Sequence, residues 1–370
     1  MNRALRAATA VLPPLLAFCA VRGLMVLAAR AVGLDPWNAL SWKRWDSGHY
    51  LAIATTGYEY FSCARIGGRP QDVCGNAAWF PLYPWAMRPL IALGVGPAAA
   101  GTWVAGLGAL GTLAALWNGF LRRRGLGGWL VLGMAAAFPG AVYQHAIFPT
   151  SLALLCLVLA AWFVARERWV AAGVAGAGVA LSYVTGVLVA VANGASALLR
   201  TRSIRPVLLS GGIAAAGLVA LLVLHQLLLG HWDAFYWVHR KGFPAMAQPL
   251  DAFLGVALPA FDPGSDPRAR TVAVQTLTVA GLVLLGMGSA VVTRRRPDPV
   301  RSWAVVATLL FWSFPLLVGR GVSLYRSDAL VLPVLFLLLE LPPWLLAPLL
   351  VWLAILAEEM ARLFFTGYLV

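Results

Sequence analysis

The densest group of chemically capable side chains in this 370-residue chain is Trp42-Lys43-Arg44-Trp45-Asp46-Ser47-Gly48-His49-Tyr50-Leu51-Ala52-Ile53-Ala54, followed by Gly57-Tyr58 and by Trp79-Phe80-Pro81-Leu82-Tyr83-Pro84. Asp46 has two readings. As a helix N-cap it would start a short interfacial helix from Ser47 to Ala54, since Asp is a preferred cap. As a chemical group it is a carboxylate able to take the proton of a hydroxyl, the work of a general base. His49 follows three residues later and would lie near the same helix face. There it could orient the carboxylate or touch a substrate; equally, it could only contact water and headgroups. Asp72 and Glu59 read as solvated loop charges. A phosphate-bearing ligand would need cations, and the candidates are Arg326, Arg320 and the Arg240-Lys241 pair, because the guanidinium fork matches phosphate bidentately. Arg326 stands beside Tyr325 just before a predicted helix; its alternative role is interfacial anchoring.

The elements that must position these groups are membrane helices. Hydrophobic residues make up 61% of the chain and charged residues 11%, against about 25% charged in soluble domains. Apolar runs long enough to span, or nearly so, occur at about 7–29, 88–118, 128–147, 149–165, 169–183, 184–199, 206–230, 271–293, 302–319, 329–341 and 343–365, and 169–199 reads as two short helices or one bent one. They predict an all-α polytopic membrane protein with about eleven spans in one transmembrane domain over residues 1–370. The first run is longer than a signal-peptide core and contains Arg22, so it is expected to be retained. An ionisable residue inside a span is a functional-site hypothesis by default, although helix packing would explain Arg22 as well.

The net charge of +14 does not indicate nucleic-acid binding, because the basic residues form short clusters between apolar runs. With the N-terminus in the cytoplasm, the cytoplasmic segments hold a net +11 and the outer ones +2, the asymmetry that orients membrane proteins. Three outer segments, about 32–87, 230–270 and 319–328, are too long or polar for simple turns. The stretch 231–237 (HWDAFYW) reads as an aromatic belt, and Glu358 and Glu359 receive no role. On the outer face Cys63 and Cys74 are in an oxidising compartment, which favours a disulfide over two free thiols. No Cys/His spacing suggests zinc.

The first-loop motif resembles the PIG-V-like mannosyltransferases, relatives of the enzyme that adds the second mannose of glycosylphosphatidylinositol anchors. Tyr143 to Leu154 (YQHAIFPTSLAL), Trp169 to Gly186, Leu324 to Phe336 (LYRSDALVLPVLF) and Phe364 to Leu369 (FFTGYL) are similar to later parts of that family. The resemblance implies a GT-C-type glycosyltransferase fold in the plasma (inner) membrane, with the active site on the extracytoplasmic face. It implies inverting transfer of a sugar, mannose by analogy, from a polyprenyl-phosphate donor to a hydroxyl of a glycan or glycolipid acceptor. Asp46 matches the family's base, and the position of Arg326 favours it for the donor phosphate. No cofactor is implied, and a helping divalent metal is left open. Two positions depart from the pattern: Gln144 and His145 replace a usual Glu, and Tyr183 and Val184 replace a usual Arg, which leaves the acceptor undefined. The competing classes are a transporter or lipid flippase, and a non-catalytic assembly subunit. Helices nearly free of acids and the absence of a visible repeat favour the enzyme.

Overall fold

The computed structural model describes residues 3–240, 248–293, 299–318 and 324–369. In hydrocarbon each backbone N–H and C=O must be satisfied within its own segment, so these apolar runs become helices. In chain order they are α1 (Arg3–Ala31), α2 (Ser47–Thr55), α3 (Leu82–Ala92), α4 (Pro97–Leu116), α5 (Gly125–Ala136), α6 (Ala141–His145), α7 (Thr150–Ala165), α8 (Trp169–Ala180) and α9 (Val189–Thr201). They continue with α10 (Ile204–Val207), α11 (Ile213–Leu229), α12 (Ala234–Arg240), α13 (Pro249–Ala257), α14 (Pro267–Val292), α15 (Pro299–Val318), α16 (Leu324–Ser327), α17 (Val334–Leu338) and α18 (Pro343–Phe365). The strands β1 (Tyr60–Ser62) and β2 (Val73–Gly75) form one antiparallel hairpin, with Phe61 opposite Cys74.

Among the described residues seven helical stretches are long and apolar enough to cross a membrane: Ala7–Ala31, Pro97–Leu121, Val184–Thr201, Ile204–Leu229, Pro267–Val292, Val300–Val318 and Pro343–Phe365. The protein is therefore an all-α, multi-pass membrane protein. Several apolar runs are interrupted or short, and 169–199 forms two separate helices, α8 and α9. Residues 88–118 divide at Gly94, where φ is +86°, and Pro97 restarts the chain as α4, since proline suits the first helical turn. Residues 128–147 end as helix at Ala136 and pass through Phe138-Pro139-Gly140 into the short α6. Residues 329–341 break into a 3₁₀ turn at Asp328–Val331 and the five-residue α17. Residues 149–165 and 169–183 become the short apolar helices α7 and α8.

Small residues let these helices approach closely, as membrane packing requires without a hydrophobic drive between helices. A Cβ on Gly217 of α11 would stand 2.8 Å from the Ala177 carbonyl of α8, and one on Gly108 of α4 would stand 2.8 Å from Ser151 Oγ of α7. Helix α7 packs against α4, α8 and α15, and α1 packs against α18 and α4.

Ion pairs join loops that the charge pattern assigns to one side: Arg124 Nη1 lies 3.1 Å from Glu340 Oε1, and Arg200 Nη2 lies 2.6 Å from Glu167 Oε1. At the opposite end the first loop folds over the bundle. Its outermost part is closed by the Cys63–Cys74 disulfide, beside the hairpin. Breaking that bridge with Cys63→Ser should destabilise the loop by about 2–4 kcal/mol. Limited proteolysis is expected to cut between residues 60 and 80 in the variant and not in the wild type. Equal resistance of both would show that the bridge contributes nothing to loop order.

Candidate active site

Trp45 has φ +42°, a left-handed conformation that costs a bulky residue energy and is worth a functional explanation where it is seen. This turn delivers Asp46 to the start of α2. Asp46 occupies the N-cap position, yet its side chain accepts no capping bond. The first N–H groups of α2 are met by the turn's own backbone: the Gly48 N–H donates to the Trp45 carbonyl at 3.2 Å and the His49 N–H to the Asp46 carbonyl at 3.0 Å, while the Arg44 N–H donates to Ser47 Oγ at 3.1 Å. The Asp46 carboxylate is left to pair with Arg326, which donates from Nη1 to Asp46 Oδ2. Both side chains are largely enclosed, at 15% exposure for Arg326 and 29% for Asp46.

Four parts of the chain hold this pair. The first loop is pinned by the Ile147 N–H, which donates to the Trp42 carbonyl at 3.3 Å. It is pinned again by Arg44 Nη2, which donates to the Phe365 carbonyl at 2.9 Å. Trp42 meets Phe365 edge-on at 5.0 Å. Behind the pair, Tyr143 packs against Phe148, Phe364 and Tyr325, and the Arg326 guanidinium lies 5.9 Å from the Phe148 ring centre. Tyr50, one turn after Asp46, packs edge-on against Tyr83 and Phe148.

Burial alone would push the Arg326 guanidinium down, but Asp46, with Tyr183, Tyr143 and Tyr325, outweighs it and raises its affinity for the proton. Arg326 is thus a permanent cation. Burial, reinforced by Asp46, pushes the Tyr50 phenol well above its ordinary value, so it stays neutral. His49 stacks face to face on Trp79 at 3.5 Å. Burial lowers its pKa while Asp46 pulls the other way.

Arg326 is held from below by α14. The fully buried Gln275 Nε2 donates to the Tyr325 carbonyl at 3.0 Å and to Asp328 Oδ2 at 2.8 Å. On the other side Gly140, at φ +80°, sits where a Cβ would be 3.0 Å from Ala329 Cβ and 3.3 Å from the Tyr325 carbonyl. Any side chain there would push the arginine turn away. Burial pushes the Asp328 carboxyl up to about 7, against the opposing Gln275 bond. A carboxyl whose folded pKa lies above its unfolded one contributes stability at low pH and loses it as pH rises. Thermal stability in detergent should therefore fall from pH 5 to pH 8 more steeply for wild type than for Asp328→Asn. Parallel pH curves would mean that Asp328 is ionised throughout.

The sequence candidates do not all meet. Asp46, His49, Tyr325 and Arg326 gather. Arg240 instead lies over the Trp237 ring at 5.4 Å, and its neighbour His239 is the α12 residue within electrostatic range of Asp46. Lys241 and Arg320 lie outside the described residues. Tyr183, which breaks the sequence pattern, is within electrostatic range of Asp46, Arg326, Tyr325 and Asp328. Gln144 and His145 are buried in α6. Tyr50, Tyr143, Tyr183 and His239 were not singled out as site residues. Tyr50 had a signal in its helical spacing from Asp46, Tyr143 in opening a family-like segment and Tyr183 in departing from the pattern; His239 had none. Among the described residues no three His, Cys, Asp or Glu side chains gather as a metal site.

Chemically, the arrangement is a carboxylate and a fixed cation, side by side in an aromatic recess at one end of a membrane bundle. Such a recess suits a proton acceptor next to an anion. No known protein-family model matches the chain, and no curated protein is measurably similar to it in sequence.

Proposed function

We propose that the protein is an inverting glycosyltransferase of the PIG-V-like, GT-C type, with about eleven spans when the short helices are counted. It moves a sugar, mannose by analogy, from a polyprenyl-phosphate donor to an acceptor hydroxyl on the extracytoplasmic face. The observation that carries this reading is the Asp46–Arg326 pair. It unites the carboxylate of the first-loop motif with the arginine of the late motif, two residues picked out separately by one family resemblance. The charge asymmetry of the loops supports the orientation. The membrane setting supports a lipid-borne donor, since nucleotide sugars belong to the cytoplasm.

In this reaction the acceptor oxygen forms a bond to the anomeric carbon while the bond from that carbon to the phosphate oxygen breaks. The acceptor proton passes to the Asp46 carboxylate, and polyprenyl phosphate leaves as an anion already stable without an added proton. Arg326 can serve both partners, because its fork can bind the donor phosphate while keeping one N–H on Asp46. The donor phosphate then draws part of the cation away from Asp46 and leaves the carboxylate more basic when substrate is present. The neutral Tyr50 and Tyr143 hydroxyls offer hydrogen bonds to sugar or phosphate oxygens without competing charge.

The test is reconstitution in vesicles carrying a radiolabelled polyprenyl-phosphate sugar. A glycosyltransferase forms a new glycosidic product from that donor. A flippase would only redistribute the labelled lipid between leaflets, and an assembly subunit would do neither. Redistribution without product would overturn the proposal.

A further inference from the structure

Arg22 sits on α1, inside the apolar stretch Ala7–Ala31. At about 1.5 Å per residue it lies roughly 13 Å below the end of that helix at Ala31. It enters none of the ion pairs among the described residues. Its guanidinium stacks on the Trp42 ring at 3.6 Å, and Nη1 donates one long bond, 3.4 Å, to the His145 carbonyl. The remaining N–H donors of the fork have no acceptor among the described residues. His145 is itself 3% exposed, and its Nδ1 is buried without a partner. Its ring packs at 5.2 Å against Phe18, one turn along α1 from Arg22. Arg22 thus bonds the backbone of His145, whose own ring, packed on Phe18, leaves Nδ1 unpartnered nearby. In hydrocarbon an unpaired cation with idle donors is costly, and a stack on tryptophan compensates for only part of that.

What would complete this contact is an anion with several acceptor oxygens. The surroundings indicate where it comes from. Cys19, three residues from Arg22, is exposed, as are Leu15 and Leu16 in the preceding turn. Arg22 thus stands at the margin between the buried Trp42 and His145 and an exposed flank of α1. We infer that Arg22, backed by His145 and Trp42, binds the phosphate ester of a membrane lipid whose chain lies along α1. The bidentate fit of guanidinium to phosphate supplies recognition, and the apolar residues beside it accommodate the chain. The inference does not depend on the proposed glycosyl transfer. Trp42, however, lies four residues before Asp46, so the lipid would sit next to the Asp46 recess. The lipid is either the polyprenyl phosphate carrier, a phosphate monoester, or a bulk glycerophospholipid, a diester, and both present anionic phosphate oxygens to the guanidinium.

The exposed Cys19 reports on this site in the unmodified protein. Purified full-length chain is alkylated with a maleimide in detergent, and labelling of Cys19 is followed at the peptide level, apart from Cys156. Four additives are compared: polyprenyl phosphate, uncharged polyprenol, phosphatidylglycerol and inorganic phosphate. Polyprenyl phosphate is expected to slow Cys19 alkylation several-fold, with polyprenol and inorganic phosphate without effect. Equal protection by phosphatidylglycerol would identify bulk lipid as the occupant, and its absence would identify the carrier; either upholds the site. Arg22→Gln should raise the concentration for half-protection at least about tenfold, as loss of charge-assisted bonds predicts, while Arg268→Ala, at the exposed start of α14, leaves it unchanged. Equal protection by polyprenol, protection by inorganic phosphate alone, or no protection by any lipid would overturn the inference and leave Arg22 as a packing residue. The wild-type comparisons need no variant to fold.

Discussion

Asp46→Asn is expected to leave the protein folded and able to hold a lipid-linked donor while cutting turnover at least about a hundredfold, the usual scale of general-base help. The expectation of intact folding rests on the site. The Asp46 side chain makes no capping bond, so the substitution removes no cap from α2. Asparagine is isosteric and its carbonyl oxygen still accepts from Arg326. What it lacks is the capacity to take a proton. The acceptor hydroxyl is a poor nucleophile until that proton begins to move, and in the proposed single displacement no other carboxylate is assigned to receive it. Asp328, the other acid of this region, is buried and bonded to Gln275. Near-normal turnover of Asp46→Asn in a purified assay would reduce Asp46 to an anchor for Arg326.

Arg326→Ala should lower kcat/KM for the donor by roughly 10–100-fold, the range expected when a charge-assisted contact to phosphate is lost. Both KM and kcat should respond, because the same cation binds the donor and faces the leaving phosphate. Arg326→Lys keeps the charge but not the fork and should recover only part of the loss. The substitution should not unfold the chain, since the Asp46 side chain, 29% exposed, can take up water when its partner goes. Arg268→Ala is the control: that guanidinium lies 5.6 Å over the Tyr368 ring, at the exposed start of α14. Equal, small effects of Arg268→Ala and Arg326→Ala would make Arg326 an interface anchor only.

Much of the fold was legible because a bilayer imposes one rule, and runs such as 206–230 and 343–365 obey it almost residue for residue. Hydrophobicity hid the breaks. It carried 88–118 through Gly94-Val95-Gly96-Pro97 and 128–147 through Phe138-Pro139-Gly140, although proline and positive-φ glycine mark both turns in the sequence. At the site, spacing put Asp46, His49 and Tyr50 within one helical turn or so. Local pattern could not state that Arg326 meets Asp46 across 280 positions, nor that Asp46 would decline the capping role its residue type favours. The tertiary partner prevailed over the local cap because the Trp45 and Asp46 carbonyls already accept from the Gly48 and His49 N–H groups. Gln275 was illegible for a related reason: in a span it reads as one tolerated polar residue, and its purpose appears only when Tyr325 and Asp328 are seen to receive its amide.

The most direct test of the central claim is the stoichiometry of a single reaction in reconstituted vesicles. Wild-type protein, a labelled polyprenyl-phosphate sugar and a membrane extract supplying acceptors would be incubated, and glycosidic product and free polyprenyl phosphate quantified together. The predicted result is one polyprenyl phosphate released for each new glycosidic bond, with both signals lost together in Asp46→Asn. Product formed from a nucleotide sugar without any lipid-linked donor, or equal product with Asp46→Asn, would contradict it.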